Sequence, residues 1–146
     1  MGGISFHNGF TPKACRFSID TYAMTAAAGT QMLELDYAAS LRNLTIMSGG
    51  SGSVGVGGYL TGGGHGALTS TYGLAADQVL EIELVTPGGR IVTANECQNE
   101  DLFWAMRGVS FLSVCGLGWL GIVKPLHAAY FYPSALRIFQ TCNSVL

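Results

Sequence analysis

The sequence predicts an α+β fold rather than a chain of alternating βαβ units. Three stretches carry that prediction. Residues 77–86 alternate apolar and polar, Pro87-Gly88-Gly89 follows as a turn, and residues 90–94 return as a second strand. Helical patterns occupy residues 31–42 and 99–106, away from that hairpin. Two strands joined by a tight turn pair antiparallel, whereas parallel strands need a long crossover between them.

In chain order, residues 22–28 read as a short strand and Gly29-Thr30 as the turn that leads into the first helix. Over residues 31–42 the apolar side chains fall on two adjoining stripes, Met32, Leu35, Ala39 and Leu33, Tyr37, Leu41, the spacing of a helix face. Residues 48–66 hold ten glycines among nineteen residues, and residues 68–72 make one helical turn or less. Val79, Glu81, Glu83 and Val85 then alternate with Leu80, Ile82 and Leu84. That pattern predicts a half-buried strand, with Asp77, Glu81 and Glu83 on a solvated face rather than in catalysis. Residues 99–106 read as a helix with Asp101 near its start, where the macrodipole favours a carboxylate, and with Phe103 and Trp104 in the core. From residue 109 to 146 there is no periodicity and no clear cap, so this stretch reads as an irregular tail.

The totals narrow the function. At 146 residues the chain fits one domain of ordinary size. Charged residues make up 11%, against about 25% in typical soluble domains. An apolar face is therefore expected to remain where something else covers it. A net charge of −2, with no basic patch and no RNP-like aromatic stretch, sets nucleic acid aside. No segment reaches the roughly 18–20 apolar residues of a membrane span. The nearest is the uncharged stretch 109–123, so no membrane partner is expected. Residues 1–10 lack the basic start and apolar run of a signal peptide, and the compartment is left unassigned. Cys15, Cys97, Cys115 and Cys142 form no Cys-x-x-Cys pair, so no metal site is expected. They read as small buried residues, with one or two disulfides as the alternative. Asn43-Leu44-Thr45 is a glycosylation sequon, which matters only in a secreted chain.

Glycine loses the most conformational freedom on folding, so the run at 48–66 needs a reason. Bare N–H groups facing outward suit an anionic ligand such as a diphosphate. A flexible linker is the alternative, but Val54, Val56, Tyr59 and Leu60 punctuate the run at regular intervals. Gly62-Gly63-Gly64-His65-Gly66-Ala67 formally satisfies Gly-x-Gly-x-x-Gly/Ala. A nicotinamide-type Rossmann site, however, needs an apolar strand just before the glycines and an amphipathic helix just after. Here Thr61 precedes and residues 68–73 are too short. The Walker A pattern fails because no Gly-Lys-Ser/Thr follows.

Four motifs in order carry a family resemblance: Val54-Gly55-Val56-Gly57-Gly58, Gly62-Gly63-Gly64-His65-Gly66, the stretch YGLAADQVL at 72–80, and NEDLFWAMRG at 99–108. Over about residues 1–108 the chain resembles the PCMH-type FAD-binding domain of the vanillyl-alcohol-oxidase-type flavoproteins. Within them it is most similar to the berberine-bridge-enzyme-like and fungal FAD-linked oxidases. The resemblance implies the second, C-terminal half of that domain: an incomplete mixed or antiparallel sheet with flanking helices, and FAD as cofactor.

Carried onto this sequence, the resemblance places Gly50, Ser51, Ser53, Val54, Gly55, Gly57 and Gly58 along the flavin and its diphosphate. It makes Thr61 a hydroxyl donor to the same region, has His65 close the loop and puts Ile122 at the adenine. For His65 the alternative is a structural role, filling a pocket or bonding to backbone. Some members tether FAD through a histidine and a cysteine. The cysteine position corresponds to Ser51, so no cysteinyl link is expected, and the upstream loop bearing the histidine is absent from this sequence. His7 lies in the strand that follows that loop and reads as a surface residue.

After Gly108 the family continues with a run of glycines that this sequence lacks. Val109-Ser110 can be encoded by GTRAGT, the usual start of a spliceosomal intron, so residues 109–146 are expected to be translated intron or a shifted frame, with the chain truncated at both ends. The family reaction is oxidation of a carbon bearing hydroxyl or amine, with hydride passing to the flavin and oxygen reduced to hydrogen peroxide. The substrate domain, with its pocket and general base, is not in this sequence. The expected role is part of the flavin shelf of an FAD-dependent oxidoreductase, with no catalytic residue of its own and inactive alone. Two alternatives are a non-catalytic remnant that holds FAD weakly and a Rossmann-type nicotinamide protein.

Overall fold

The alternation at 77–94 folds as the expected hairpin. Strand β4 (Val79–Val85) pairs antiparallel with β5 (Ile91–Asn95) from Glu81 opposite Asn95 to Val85 opposite Ile91. The turn between them is closed by the Gly89 N–H on the Thr86 carbonyl and the Thr86 N–H on the Arg90 carbonyl, both at 2.8 Å. A computed structural model describes residues 3–108, 119–123 and 126–127. At the opposite edge of the sheet, β1 (Ser5–Phe10) pairs antiparallel with β2 (Ile19–Ala27). The strand expected at 22–28 thus begins earlier.

Between the two hairpins lies β6 (Trp119–Val123), antiparallel to both β2 and β4, which completes a five-stranded sheet of order β1-β2-β6-β4-β5. The expectation of an irregular tail is corrected at these residues. A strand with neighbours on both sides can be a short continuous apolar run, which periodicity alone does not reveal. A second, two-stranded pairing joins β3 (Leu44–Thr45) to β7 (Leu126–His127). The reading of residues 109–118 and 128–146 falls outside the described residues.

Helix α1 (Met32–Ser40) buries the stripe Met32, Leu35 and Ala39. Its start is fastened by the Gln31 N–H, which donates to Glu34 Oε2 at 3.3 Å. A six-residue helix, α2 (Val56–Thr61), stands inside the glycine run where only loop was expected. Helices α3 (Thr69–Tyr72) and α4 (Glu100–Met106) match the two remaining helical expectations. One buried apolar cluster joins Met24 of β2, Met32 and Leu35 of α1, Val56 and Leu60 of α2, Ile82 of β4 and Phe103 of α4. Trp104, expected beside Phe103 in the core, is 73% exposed. Neighbours on a helix point about 100° apart, so the face that buries Phe103 turns Trp104 outward.

Glu81 is only 5% exposed, which overturns its place on a solvated face. The loop before β2 folds over it. The Lys13 main-chain N–H donates to Glu81 Oε2 at 2.7 Å, and Asn95 Nδ2 donates to the same oxygen at 2.8 Å and to the Lys13 carbonyl at 2.9 Å. That loop is tied down by a Cys15–Cys97 disulfide, which spans 82 residues of sequence. These two cysteines are therefore bonded rather than isolated buried residues. Glu83 and Asp77 fit the solvated reading better: Glu83 lies 3.5 Å from Lys13 Nζ in a half-exposed pair, and exposed Asp77 accepts the Leu74 N–H at 2.8 Å. His7 is half-buried on β1, with Nε2 2.8 Å from Thr25 Oγ1, rather than free at the surface.

Candidate functional site

The glycine run divides into two limbs with different jobs. The first limb, residues 50–58, is laced to the turn before α1. The Met32 and Leu33 N–H groups donate to the carbonyls of Val54 and Gly52, and the Val56 and Gly57 N–H groups donate to those of Thr30 and Ala28, each at 2.9 Å. These bonds hold the limb in one shape. They leave the amides of Gly50, Ser51, Ser53, Gly55 and Gly58 without a hydrogen-bond partner among the described residues. A β-carbon at Gly50 or Gly58 would meet nothing within 4 Å, so open space lies beside both. Ser51 and Ser53 add two exposed hydroxyls 3.3 Å apart, and Val54 is 40% exposed. An edge rich in free donors and bare of bulky cover is what an anionic, hydrogen-bond-accepting ligand needs.

Two expected members leave this set. The Gly57 amide is already bonded to Ala28, so it is not a free donor. Thr61 is 8% exposed and its hydroxyl donates back into α2, to Gly57 O at 3.0 Å and Gly58 O at 3.3 Å. A threonine in a short helix readily satisfies its hydroxyl on the preceding turn, and that removes the proton a ligand would use.

The second limb, residues 62–66, is shaped by the protein itself. Gly64 has φ +73°, and a β-carbon there would stand 2.5 Å from Ala75 Cβ and 3.0 Å from the Tyr59 ring. A β-carbon at Gly66 would overlap the Ser48 carbonyl oxygen. The limb is pinned by the Ala75 and Ala76 N–H groups on the Gly64 and Gly63 carbonyls, at 2.9 and 3.0 Å. His65 is exposed and makes no hydrogen bond among the described residues. These glycines follow helix α2, not a strand, and the sheet is antiparallel, so the Rossmann reading is overturned. Ile122 pairs through its backbone with Thr25 and Glu81 in mid-sheet, and its side chain lies outside what is described.

Beside Gly50 opens a cavity of about 370 Å³ lined by Asp36, Thr45, Ile46, Ser48, Gly49 and Leu68 among others. Burial pushes the Asp36 carboxyl above its ordinary value, against the opposing effect of a Ser48 hydrogen bond. Tyr59 stands nearby with its ring against Gly49 and Gly64 and its hydroxyl beside Gly66. Burial, and then the Asp36 charge, raise its phenol, so it stays protonated. Its hydroxyl is buried without a partner among the described residues. Sequence reasoning missed Asp36 because its signal is only a polar residue between two apolar stripes of α1. Among the described residues, no cluster of His, Cys, Asp and Glu could hold a metal, and no helix is long and apolar enough to cross a membrane.

Residues 11–95 match the FAD binding domain family. An FAD-linked oxidoreductase of Aspergillus flavipes, ffsJ, is 44% identical over 105 residues, which cover 71% of this chain and 17% of that protein. An uncharacterised FAD-linked oxidoreductase of Arthroderma benhamiae is 34% identical over 140 residues, 94% of this chain and 24% of its own length. That alignment is longer than 108 residues, so the similarity does not stop at Gly108. Among solved structures, the VAO-type flavoprotein MtVAO713 of Myceliophthora thermophila superimposes with a TM-score of 0.76 at 35% identity, over 86% of this chain and 22% of that one. The chain thus spans about a fifth of the length of such proteins. A laced glycine limb with free amides, set on an antiparallel sheet, belongs with those likenesses: the chain is a member of the FAD binding domain family and covers part of a VAO-type domain.

Proposed function

We propose that residues 50–58 hold FAD in a longer FAD-linked oxidoreductase, with the amides of Gly50, Ser51, Ser53, Gly55 and Gly58 on the diphosphate and flavin. The observation that carries this reading is the set of amides left free on a limb that backbone bonds to Ala28, Thr30, Met32 and Leu33 hold in one shape. In this reading exposed Val54 offers an apolar contact to the ring and exposed His65 closes over the ligand. The neighbouring cavity carries the Asp36 carboxyl, so a diphosphate is repelled there and directed to the limb. Bound FAD supplies hydride acceptance from an alcohol, amine or sugar carbon and reoxidation by oxygen. This chain's residues bind and orient it, while the base and the substrate pocket belong to the rest of the longer protein.

No cysteinyl attachment is made in this reading, because Ser51 offers a hydroxyl where such a link would need a thiol. A second reading, a weak or non-catalytic FAD-binding remnant, is favoured by one feature. The limb carries no Lys or Arg, so every contact to the diphosphate is a neutral donor. Each hydrogen bond to the charged diphosphate that the rest of the longer protein would make, and this chain alone does not, weakens binding by roughly 1.5–3 kcal/mol.

The test is titration of the purified chain with FAD, followed by flavin fluorescence and by the visible spectrum after desalting. Binding that is competed by ADP and weakened by Gly58→Val supports the reading. No binding, or binding that Gly58→Val leaves intact, rejects it. Acid precipitation should leave all flavin in the supernatant, and flavin retained in the pellet would show that this chain does form a covalent link.

A further inference from the structure

We infer that this chain associates with a second copy of itself through the outer face of α1, in a two-fold antiparallel pairing of the helices. One end of the face adjoins the glycine limb, where Leu33 lies against Gly52, and the inference does not depend on FAD. Leu33, Tyr37 and Leu41 recur at every fourth position and are 65%, 61% and 65% exposed. An ordered apolar row of this size differs from scattered surface leucines and marks a surface built for contact. Beside it runs a second row, Glu34, Ala38 and Arg42, whose opposite charges stand at its two ends. With Ile4 and Phe6 these rows line a groove of about 580 Å³.

The charges are held in place rather than left free. The Arg42 guanidinium lies 4.0 Å from the centre of the Phe6 ring, and Glu34 Oε2 accepts the Gln31 N–H at 3.3 Å. This arrangement is self-complementary. A two-fold axis passing between Tyr37 and Ala38 sets Leu33 of one copy against Leu41 of the other and brings Glu34 to Arg42 twice. A parallel pairing would set Glu34 against Glu34, and like charges reject it. The result is an isologous contact with an apolar centre and a charged rim, the usual form of a soluble homodimer.

Sedimentation velocity on the whole chain, over a roughly hundredfold range of concentration, tests the pairing. The expected result is a monomer–dimer equilibrium. Tyr37→Glu should weaken it at least about tenfold, because it places charge at the centre of the contact. Glu34→Arg alone and Arg42→Glu alone should each weaken it, and the double exchange E34R/R42E should associate more tightly than either single variant. Circular dichroism confirms that each variant is folded, and Leu41→Gln replaces any that is not. A wild-type chain that stays monomeric throughout overturns the inference and leaves the groove to a covering segment of a longer polypeptide. A double exchange no tighter than the single variants overturns it as well.

Discussion

A β-carbon placed on Gly66 would fall on the carbonyl oxygen of Ser48, so the last residue of the glycine run lies directly against the first. The contact folds the run back on itself and is independent of any ligand. Gly66→Ala should therefore destabilise the chain by about 1–3 kcal/mol, since backbone cannot yield as a flexible side chain does. Gly50→Ala, with open space beside it, should fall within about 0.5 kcal/mol of wild type. Urea denaturation of the two variants decides it, and equal losses would refute the division into two limbs.

The Cys15–Cys97 bond should matter as much as any single feature of the core. It closes a long stretch of chain, 82 residues, and holds the loop that covers Glu81. Reduction, or the Cys15→Ser/Cys97→Ser pair, is expected to remove about 2–5 kcal/mol. Thermal melts with and without reductant measure it. An unchanged melting temperature, with intact mass confirming that the bond was broken, would rule the clamp out.

Asn95 has no exposed surface and donates to both Glu81 and the Lys13 carbonyl. Truncation in Asn95→Ala leaves a buried carboxylate short of a donor and should cost about 1–3 kcal/mol. Adding Glu81→Gln to Asn95→Ala should lose less than the sum of the two single changes, because the second removes the charge that the first left uncompensated. Strict additivity in denaturation experiments would show that the two side chains act separately.

Asp36 supplies a pH dependence with a definite sign. Its carboxyl is raised above 3.8 chiefly by burial, so the folded chain holds that proton more tightly than the unfolded chain. Between 3.8 and the higher folded value, stability from this group falls as pH rises, and it is fully present only below that window. Asp36→Asn cannot ionise and should lose the slope. It should gain on wild type as the pH rises through that window. Parallel pH profiles for the two proteins in thermal melts would sink the assignment.

Much of the fold was legible in the sequence because it rests on local pattern. The hairpin at 79–95 follows from alternation and a Pro-Gly-Gly turn, and α1 buries the stripe its spacing names. The candidate site was legible only in part. Gly50, Ser51, Ser53, Gly55 and Gly58 present free amides, whereas Gly57 and Thr61 are bonded inward, a distinction that composition does not carry. Strand β6 was missed because its partners are β2 and β4, both distant in sequence, and its apolar run has no period of its own.

What the sequence alone determined is the class of structure and the kind of ligand: short-range periodicity sets the elements, and ordered glycine motifs mark a flavin-binding family. What only the tertiary structure decided is which groups remain available. Glu81 alternates like a surface residue, yet a loop tied down by Cys97, some eighty residues from Cys15, buries it. Gly66 ends a run that reads as a ligand cradle, yet Ser48 occupies the space before it. In both cases the deciding contact comes from a residue far along the chain. Burial and hydrogen-bond satisfaction belong to such contacts, and no local pattern encodes them.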